Sequence, residues 1–417
     1  MTKMKESGID WIGQIPEEWR VRPIKHIVET PVTDGPHETP VLYETGIPFL
    51  SAEAVKDGVL DFNFKRGYIS LKDHDRFKKK ISPKKDDIFI VKSGATTGNV
   101  GIVNTDEIFD IWSPLALIRC NKTLAIQKYI YFYLLSTLFK SQVEFNWSFG
   151  TQQNIGMGVI ERIKVILPPV SEQQKIVEVL DKKTAQLDKA KALLEEQIQK
   201  LKDYRASLIY ETVTKGLDKT VPMKDSGIDW IGQVPQGWGV SRLKYYFDIY
   251  AGGDIDERNT VEEYSESHPY PVLSNSLENE GVLGYTNKYR FKKNCVTVTG
   301  RGDVGKAVYR NINFYPVVRL LVCVPKSQVD CRFVTYWINS AIIEKNQTAV
   351  SQLTIQMLGE LLFVNVPFLR KKNIADFLDK KTVQIDKLIQ IKNQQIDNIN
   401  KQRQTLIYDY VTGKKRV

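Results

Sequence analysis

The sequence predicts an α+β fold built twice: two α/β modules joined by two long helices that pair as an antiparallel coiled coil, with an internal pseudo-twofold duplication. Three observations carry this. The stretch SGIDWIGQIPEEW from Ser7 returns as SGIDWIGQVPQGW from Ser226, and VLDKKTAQLDKAKALLEEQ from Val179 returns as FLDKKTVQIDKLIQIKNQQ from Phe377. Both of the later stretches carry apolar residues at seven-residue spacing. The heads are offset by 219 positions (Met4 to Met223) and the tails by 198 (Leu180 to Leu378), so the second middle is shorter by the difference, 21 residues. A period near 200 residues marks two copied domains and is too long for a solenoid.

The expected order is a first module over residues 1–166, a long helix over 167–216, a second module over 217–367 and a second long helix over 368–417. Trp11, Trp19, Trp230 and Trp238, in the heads, are expected to pack. In the first middle DDIFIVKSG from Asp86, VGIVN from Val100 and PLALIRC from Pro114 read as strands, and IQKYIYFYLLSTLF from Ile126 as a helix. The second middle echoes the order with CVTVTG, AVYRN, PVVRLLVCV and RFVTYWINSAII. A glycine-rich turn divides two strands in each, SGATTG at 93–98 and GRGDVG at 300–305. The second turn imitates a P-loop, but Ala307 stands where Ser or Thr should ligate magnesium, and a strand-like stretch follows where a helix is needed.

Each tail lacks Pro and Gly for about forty residues. Leu180, Leu187, Leu194, Leu201 and Leu208 form one seam, and Leu378, Ile385, Ile389, Ile396, Ile399 and Leu406 the other. A sustained heptad is a coiled-coil seam, although an amphipathic helix packed on its own module would also carry apolar periodicity. Pro168, Pro169 and Pro367 precede the helices; Gly216 and Gly413 follow them. At about 1.5 Å per residue, each helix spans roughly 60 Å and is expected to act as a spacer.

The chain of 417 residues, 42% apolar, can bury two cores. Its net charge of +10 points to a polyanionic partner, with a generically basic surface as the alternative. The charge is concentrated in the middles. Ten Lys/Arg face four Asp/Glu between Lys65 and Lys92, and seven face only Asp303 between Lys288 and Arg310. Four cysteines without a CxxC pair and four scattered histidines predict a reduced, cytoplasmic protein without a metal site. Charged residues near the N-terminus and the lack of a long apolar run argue against a signal peptide and a membrane span. LPPV from Leu167 shares only its prolines with the Asn/Asp-Pro-Pro-aromatic motif of amino-methyltransferases, and no acidic cluster suits magnesium-dependent cleavage. A binding protein without catalytic activity is expected. The alternatives are a self-contained DNA methyltransferase or nuclease with unrecognised motifs, and an RNA-binding or structural coiled-coil protein.

The paired heads, the LDKKT helices ending in LIY, TDGPHETP from Thr33, and TQQNI and SQLTI ahead of the LP and VP junctions together resemble the specificity subunit of type I restriction-modification systems. The resemblance covers the whole chain. It implies two target recognition domains, each reading half of a bipartite double-stranded DNA site, and two conserved helices that space them and dock two modification (methyltransferase) subunits. It also implies restriction (motor/nuclease) subunits, with S-adenosylmethionine, ATP and magnesium held by partners and no cofactor in this chain.

Contacts are then expected from loops and strand ends, with amides and guanidinium groups reading bases and lysines holding phosphates. The candidates in the first module are Asp34, His37, Lys79, Lys92, Ser93, Thr96, Thr97, Ser148, Thr151, Gln152, Gln153 and Asn154. In the second they are Asn275, Ser276, Arg301, Lys306, Arg319, Ser351, Gln352 and Thr354. TDGPHETP has no sequence counterpart in the second module, so the roles of Asp34 and His37 do not transfer to it.

Overall fold

The computed structural model describes residues 3–9, 12–145, 154–276, 278–341 and 352–417. It divides into two compact units, residues 1–194 with 394–417, and residues 195–393. Each unit holds one middle and one half of each long helix.

The first unit contains β1 (Arg20–Pro23), β2 (Thr33–Asp34), β3 (Val55–Lys56), β4 (Val59–Leu60), α1 (Leu71–Phe77), β5 (Ile88–Val91), β6 (Val100–Ile102), β7 (Leu115–Ile118), α2 (Gln127–Leu135), α3 (Met157–Arg162), β8 (Lys164–Leu167) and the start of α4 (Val170–Lys215). Its main sheet runs β2-β7-β5-β6-β4-β3. β5 and β7 read as unbroken apolar runs because both their faces are covered. Ile88, Ile90, Ala116 and Ile118 belong to one apolar cluster, and Phe89, Val91, Leu115 and Leu117 to another. The helix expected to run to Phe139 ends at Leu135. Ser136 turns its backbone extended and its hydroxyl donates to the Tyr133 carbonyl (2.6 Å), competing with the helical bond.

In the second unit β9 (Gly239–Arg242), β10 (Phe247–Ala251), β11 (Cys295–Thr299), β12 (Ala307–Arg310), β13 (Leu320–Pro325), α5 (Cys331–Ser340), α6 (Ile355–Glu360), β14 (Leu362–Asn365) and α7 (Phe368–Val411) repeat the plan. The sheet runs β10-β13-β11-β12. It is the first unit's sheet without the β3–β4 hairpin, and part of the length difference lies there. The turn at 300–305 leads into β12, so the P-loop likeness ends in a strand.

The heads are antiparallel hairpins, Met4–Glu6 with Gln14–Pro16 and Met223–Asp225 with Gln233–Pro235. Trp19 and Trp238 are buried, Trp230 is half-buried against the Trp337 ring, and Trp11 lies outside the described residues. Each buried tryptophan receives the glycine that ends a long helix: Gly413 against Trp19 and Pro16, Gly216 against Trp238. Both glycines are left-handed (φ +74° and +76°), and a Cβ on Gly413 would stand 2.6 Å from Pro16 Cδ. Gly413→Ala should therefore cost roughly 2–4 kcal/mol, combining left-handed strain with overpacking. Gly216→Ala should cost less, because its Cβ would meet the Trp238 ring at 3.1 Å. Chemical unfolding of the two variants checks the order.

Within each unit the helix segments run antiparallel. Asp188 pairs with Arg403 (3.5 Å) in the first; Arg205 pairs with Asp386 (3.1 Å) and Gln197 with Lys392 (2.5 Å) in the second. The Asp188–Arg403 and Asp386–Arg205 pairs are the same contact in two copies, because 188 and 386, like 205 and 403, differ by the tail offset of 198. The seam residues Leu180, Leu187, Leu194 and Leu201, and Leu378, Ile385, Ile389, Ile396 and Ile399, are all buried or half-buried. At the ends the stripe moves by one position. Ile209 and Ile407 are more buried than Leu208 and Leu406, because the last turns leave the seam and face the head tryptophans.

The first turns of the long helices differ instructively. Gln173 and Lys371 are equivalent: their amides donate to the Pro169 and Pro367 carbonyls. Gln173 is fully buried and satisfied, accepting from Ile126 N (2.7 Å) and donating to Leu124 O and Pro168 O. Lys371 is 4% exposed, with its ammonium over the Tyr246 and Phe363 rings (5.3 and 5.0 Å), and burial pushes its pKa down to about 8. The folded state thus holds this proton less tightly than the unfolded chain, so stability should rise as pH climbs from about 8 towards 10.5. Lys371→Met should stabilise the protein by about 1–3 kcal/mol at pH 7 and remove that rise. Melting curves across pH 7–10 check both.

Candidate nucleic-acid interface

In the first unit three segments meet at Lys92, just after β5. The β5–β6 turn closes through Val91 N to Asn99 O (2.8 Å) and Gly98 N to Val91 O (2.8 Å). Lys92 N donates to Pro114 O (2.8 Å), tying in the residue before β7, and Lys92 O accepts from Ile155 N (2.7 Å), tying in the segment before α3. Gly94 and Gly98 supply the positive φ values, +101° and +90°, that the tight turn requires.

The second unit repeats this latch bond for bond. Thr299 N donates to Lys306 O (3.0 Å), Gly305 N to Thr299 O (2.8 Å), Gly300 N to Arg319 O (3.1 Å) and Leu353 N to Gly300 O (3.0 Å). Lys92 therefore corresponds to Gly300, Pro114 to Arg319, Asn154 to Gln352 and Ile155 to Leu353. TQQNI and SQLTI, similar as strings, are two positions out of structural register. The loop that seemed missing also has a backbone counterpart. Asp34 pairs with Ala116 as Ala251 pairs with Leu321, and a Cβ on either following glycine, Gly35 or Gly252, would collide with the carbonyl of Ile111 or Val317.

The side chains on this common frame differ. Asp34, 6% exposed, accepts from Lys80 (2.6 Å) and Lys92 (2.8 Å) and lies 3.1 Å from the exposed His37. Burial raises its pKa, but the two ammonium groups outweigh burial and hold it below the usual range. Lys92 is thus engaged in an ion pair, and Lys80, which sequence alone did not single out, completes the cluster from 46 residues away. Its only sequence signal is its place in the FKKK run. Lys79 is exposed, with its ammonium without a partner among the described residues. Ser93 bridges Asn154, Thr97 bonds Gly94 O (2.7 Å), and Thr96 is exposed. Ser148, Thr151, Gln152, Gln153 and Ser351 lie outside the described residues.

In the second unit Asn275 spends its amide on backbone, accepting from Gly300 N (2.8 Å) and donating to Val318 O (3.3 Å). Ser276 accepts from Glu278 N (3.1 Å), and Thr354 caps α6 through Met357 N (3.2 Å). Arg301, Lys306, Arg319 and Gln352 surround the latch with fewer obligations. Arg301 is half-buried with Nε unpartnered; the other three are exposed. Arg319 is held at φ +76°, a strained setting for a non-glycine residue. Among the described residues no group of three His, Cys, Asp or Glu could hold a metal, and no helix is long and apolar enough to cross a membrane. The four cysteines are buried and unpaired, and burial raises the thiol pKa values.

Two modules with one main-chain frame, different exposed side chains on it and paired helices define a bipartite DNA-specificity protein. The chain belongs to the type I restriction-modification DNA specificity domain family, whose model matches residues 16–202 and again 235–401. It is similar to two Methanocaldococcus jannaschii proteins. One is the MjaX type I restriction enzyme specificity subunit, at 26% identity over 97% of this chain and 96% of that one; the other is the MjaVIII specificity subunit, at 22% over 97% and 94%. Its fold is like that of a chain solved in work on complex assembly and conformational transition of the type I R-M system (TM-score 0.73, 14% identity, 96% and 99% covered). The HsdS subunit from Thermoanaerobacter tengcongensis is more distant, with a TM-score of 0.50, 15% identity, and 96% and 98% covered.

Proposed function

We propose that this specificity subunit reads an asymmetric bipartite site on double-stranded DNA, one half per module, and has no catalytic activity of its own. The observation that carries it is the shared latch: the same main-chain bonds present Lys92, Pro114, Asn154 and Asp34 in one module and Gly300, Arg319, Gln352 and Ala251 in the other. Identical readers would favour a palindrome; different side chains on one frame suit two unlike half-sites. On this reading Lys79 and Lys306 would neutralise phosphates, and Arg301, Arg319, Asn154 and Gln352 would meet base edges. Two modification subunits would bring S-adenosylmethionine and restriction subunits ATP and magnesium, in a cytoplasmic complex that suits four free thiols.

The test is methyl transfer from a labelled donor to DNA. The purified chain alone should transfer none, whereas the chain with its modification subunits should methylate a bipartite motif. Transfer by the chain alone would refute the proposal.

A further inference from the structure

We propose that a cationic groove on the first unit docks an acidic, leucine-bearing segment of a partner protein. The groove, about 400 Å³, is lined by Arg20, Arg22 and His26 on one side and by Leu124, Leu167 and Pro169 on the other. Its one carboxylate, Glu18, is already bound by Arg416 Nη2 (2.7 Å), and the neighbouring Glu172 by Arg416 Nε (2.8 Å). Arg20, Arg22 and His26 have no ion-pair partner among the described residues. Lys25 and Arg162, nearby in the chain, are exposed as well.

The second unit lacks the cations at the positions of Arg20, Arg22, His26 and Arg162. β1 pairs with β8, Arg20 opposite Leu167 and Arg22 opposite Val165, as β9 pairs with β14, Gly239 opposite Asn365 and Ser241 opposite Phe363. Ile24 N bonds Ile163 O as Leu243 N bonds Leu361 O, so His26 corresponds to Tyr245 and Arg162 to Glu360. Glu360 there neutralises Arg242 (3.0 Å) and Lys244 (2.5 Å). A duplicated frame whose arginines lack a carboxylate in one copy, while Glu360 pairs with the cations in the other, serves a ligand bound once.

Position and floor argue for a protein segment. β7 begins beside the latch at Pro114 and Leu124 lies beyond its far end, so the groove and the reader stand at opposite ends of a four-residue strand roughly 13 Å long at about 3.3 Å per residue. Duplex phosphates gain nothing from an apolar floor, whereas Leu124 (47% exposed) and Val170 (36%) can cover aliphatic side chains whose neighbouring carboxylates meet the arginines.

The test uses the full chain and a fluorescent 14-residue peptide of alternating Glu and Leu, read by anisotropy. One peptide should bind per chain, and Arg20→Glu/Arg22→Glu should weaken it at least tenfold, as should the milder Arg20→Gln/Arg22→Gln, with melting temperatures confirming that both variants fold. Gly239→Glu/Ser241→Glu should leave it unchanged. Absence of binding, equal binding of a Gln/Leu peptide, persistence in the folded arginine variants, or displacement by a 30-base-pair duplex would each overturn the proposal. The last outcome would assign the groove to nucleic acid, and none of them bears on whether the modules read two half-sites.

Discussion

A chain whose residues 247–361 are replaced by residues 28–163 should methylate, with its modification partners, an inverted repeat of the first half-site instead of an asymmetric motif. The junctions fall where the two units are interchangeable: Ile24 N to Ile163 O (3.0 Å) in one is Leu243 N to Leu361 O (2.9 Å) in the other, so the main chain closes the same bond after the exchange. One side chain must follow. Lys371 occupies the place where Gln173 satisfies Ile126 N and Leu124 O, so Lys371→Gln should accompany the graft. Sequencing methylated bases in cells carrying the chimera gives the motif. A motif that stays asymmetric, from a chimera that folds and assembles, would remove the two-reader reading.

The second large effect is expected in the first module alone. Asp34→Ala leaves the Lys92 ammonium, whose side chain is 13% exposed, without its carboxylate and should cost about 2–4 kcal/mol. Lys80, 43% exposed, can turn to solvent and limits the damage. The double variant Asp34→Ala/Lys92→Ala should recover part of that cost, with a coupling of about 1–3 kcal/mol, because the second unit builds the same latch with Ala251 and Gly300. The sign of the pH effect follows from the lowered pKa of Asp34. Its stabilising contribution is complete above the ordinary carboxylate range and is lost as pH falls through the folded pKa, so wild type and Asp34→Ala should converge at acid pH. Additive single effects in denaturant titrations would show that the pair is not coupled.

The duplication and the seam were legible in the sequence because repeats of 219, 198 and seven residues are written in side chains. The latch was not, because its bonds run through main-chain atoms, and Lys92 and Gly300 share no chemistry by which a string could match them. The same cause put TQQNI and SQLTI two positions out of register and hid Gly252 behind the absent TDGPHETP. Asp34 is 58 residues from Lys92 in the chain (92 − 34) and meets it because β2 lies beside β7 and β7 beside β5. The burial of Ile209 and Ile407 in place of Leu208 and Leu406 depends on where the helices meet the head tryptophans, which heptad spacing does not record.

The latch has a consequence for how such a gene can change. Apart from the bond that Asn275 Oδ1 accepts from Gly300 N, the bonds that hold Lys92 and Gly300 in place use main-chain atoms, and any amino acid other than proline supplies the donors. Codons at the neighbouring reading positions can then mutate, or be exchanged by recombination between gene halves, without loss of the scaffold. A lineage carrying this chain could therefore revise which DNA it marks as its own through small genetic steps, each passing through a folded intermediate.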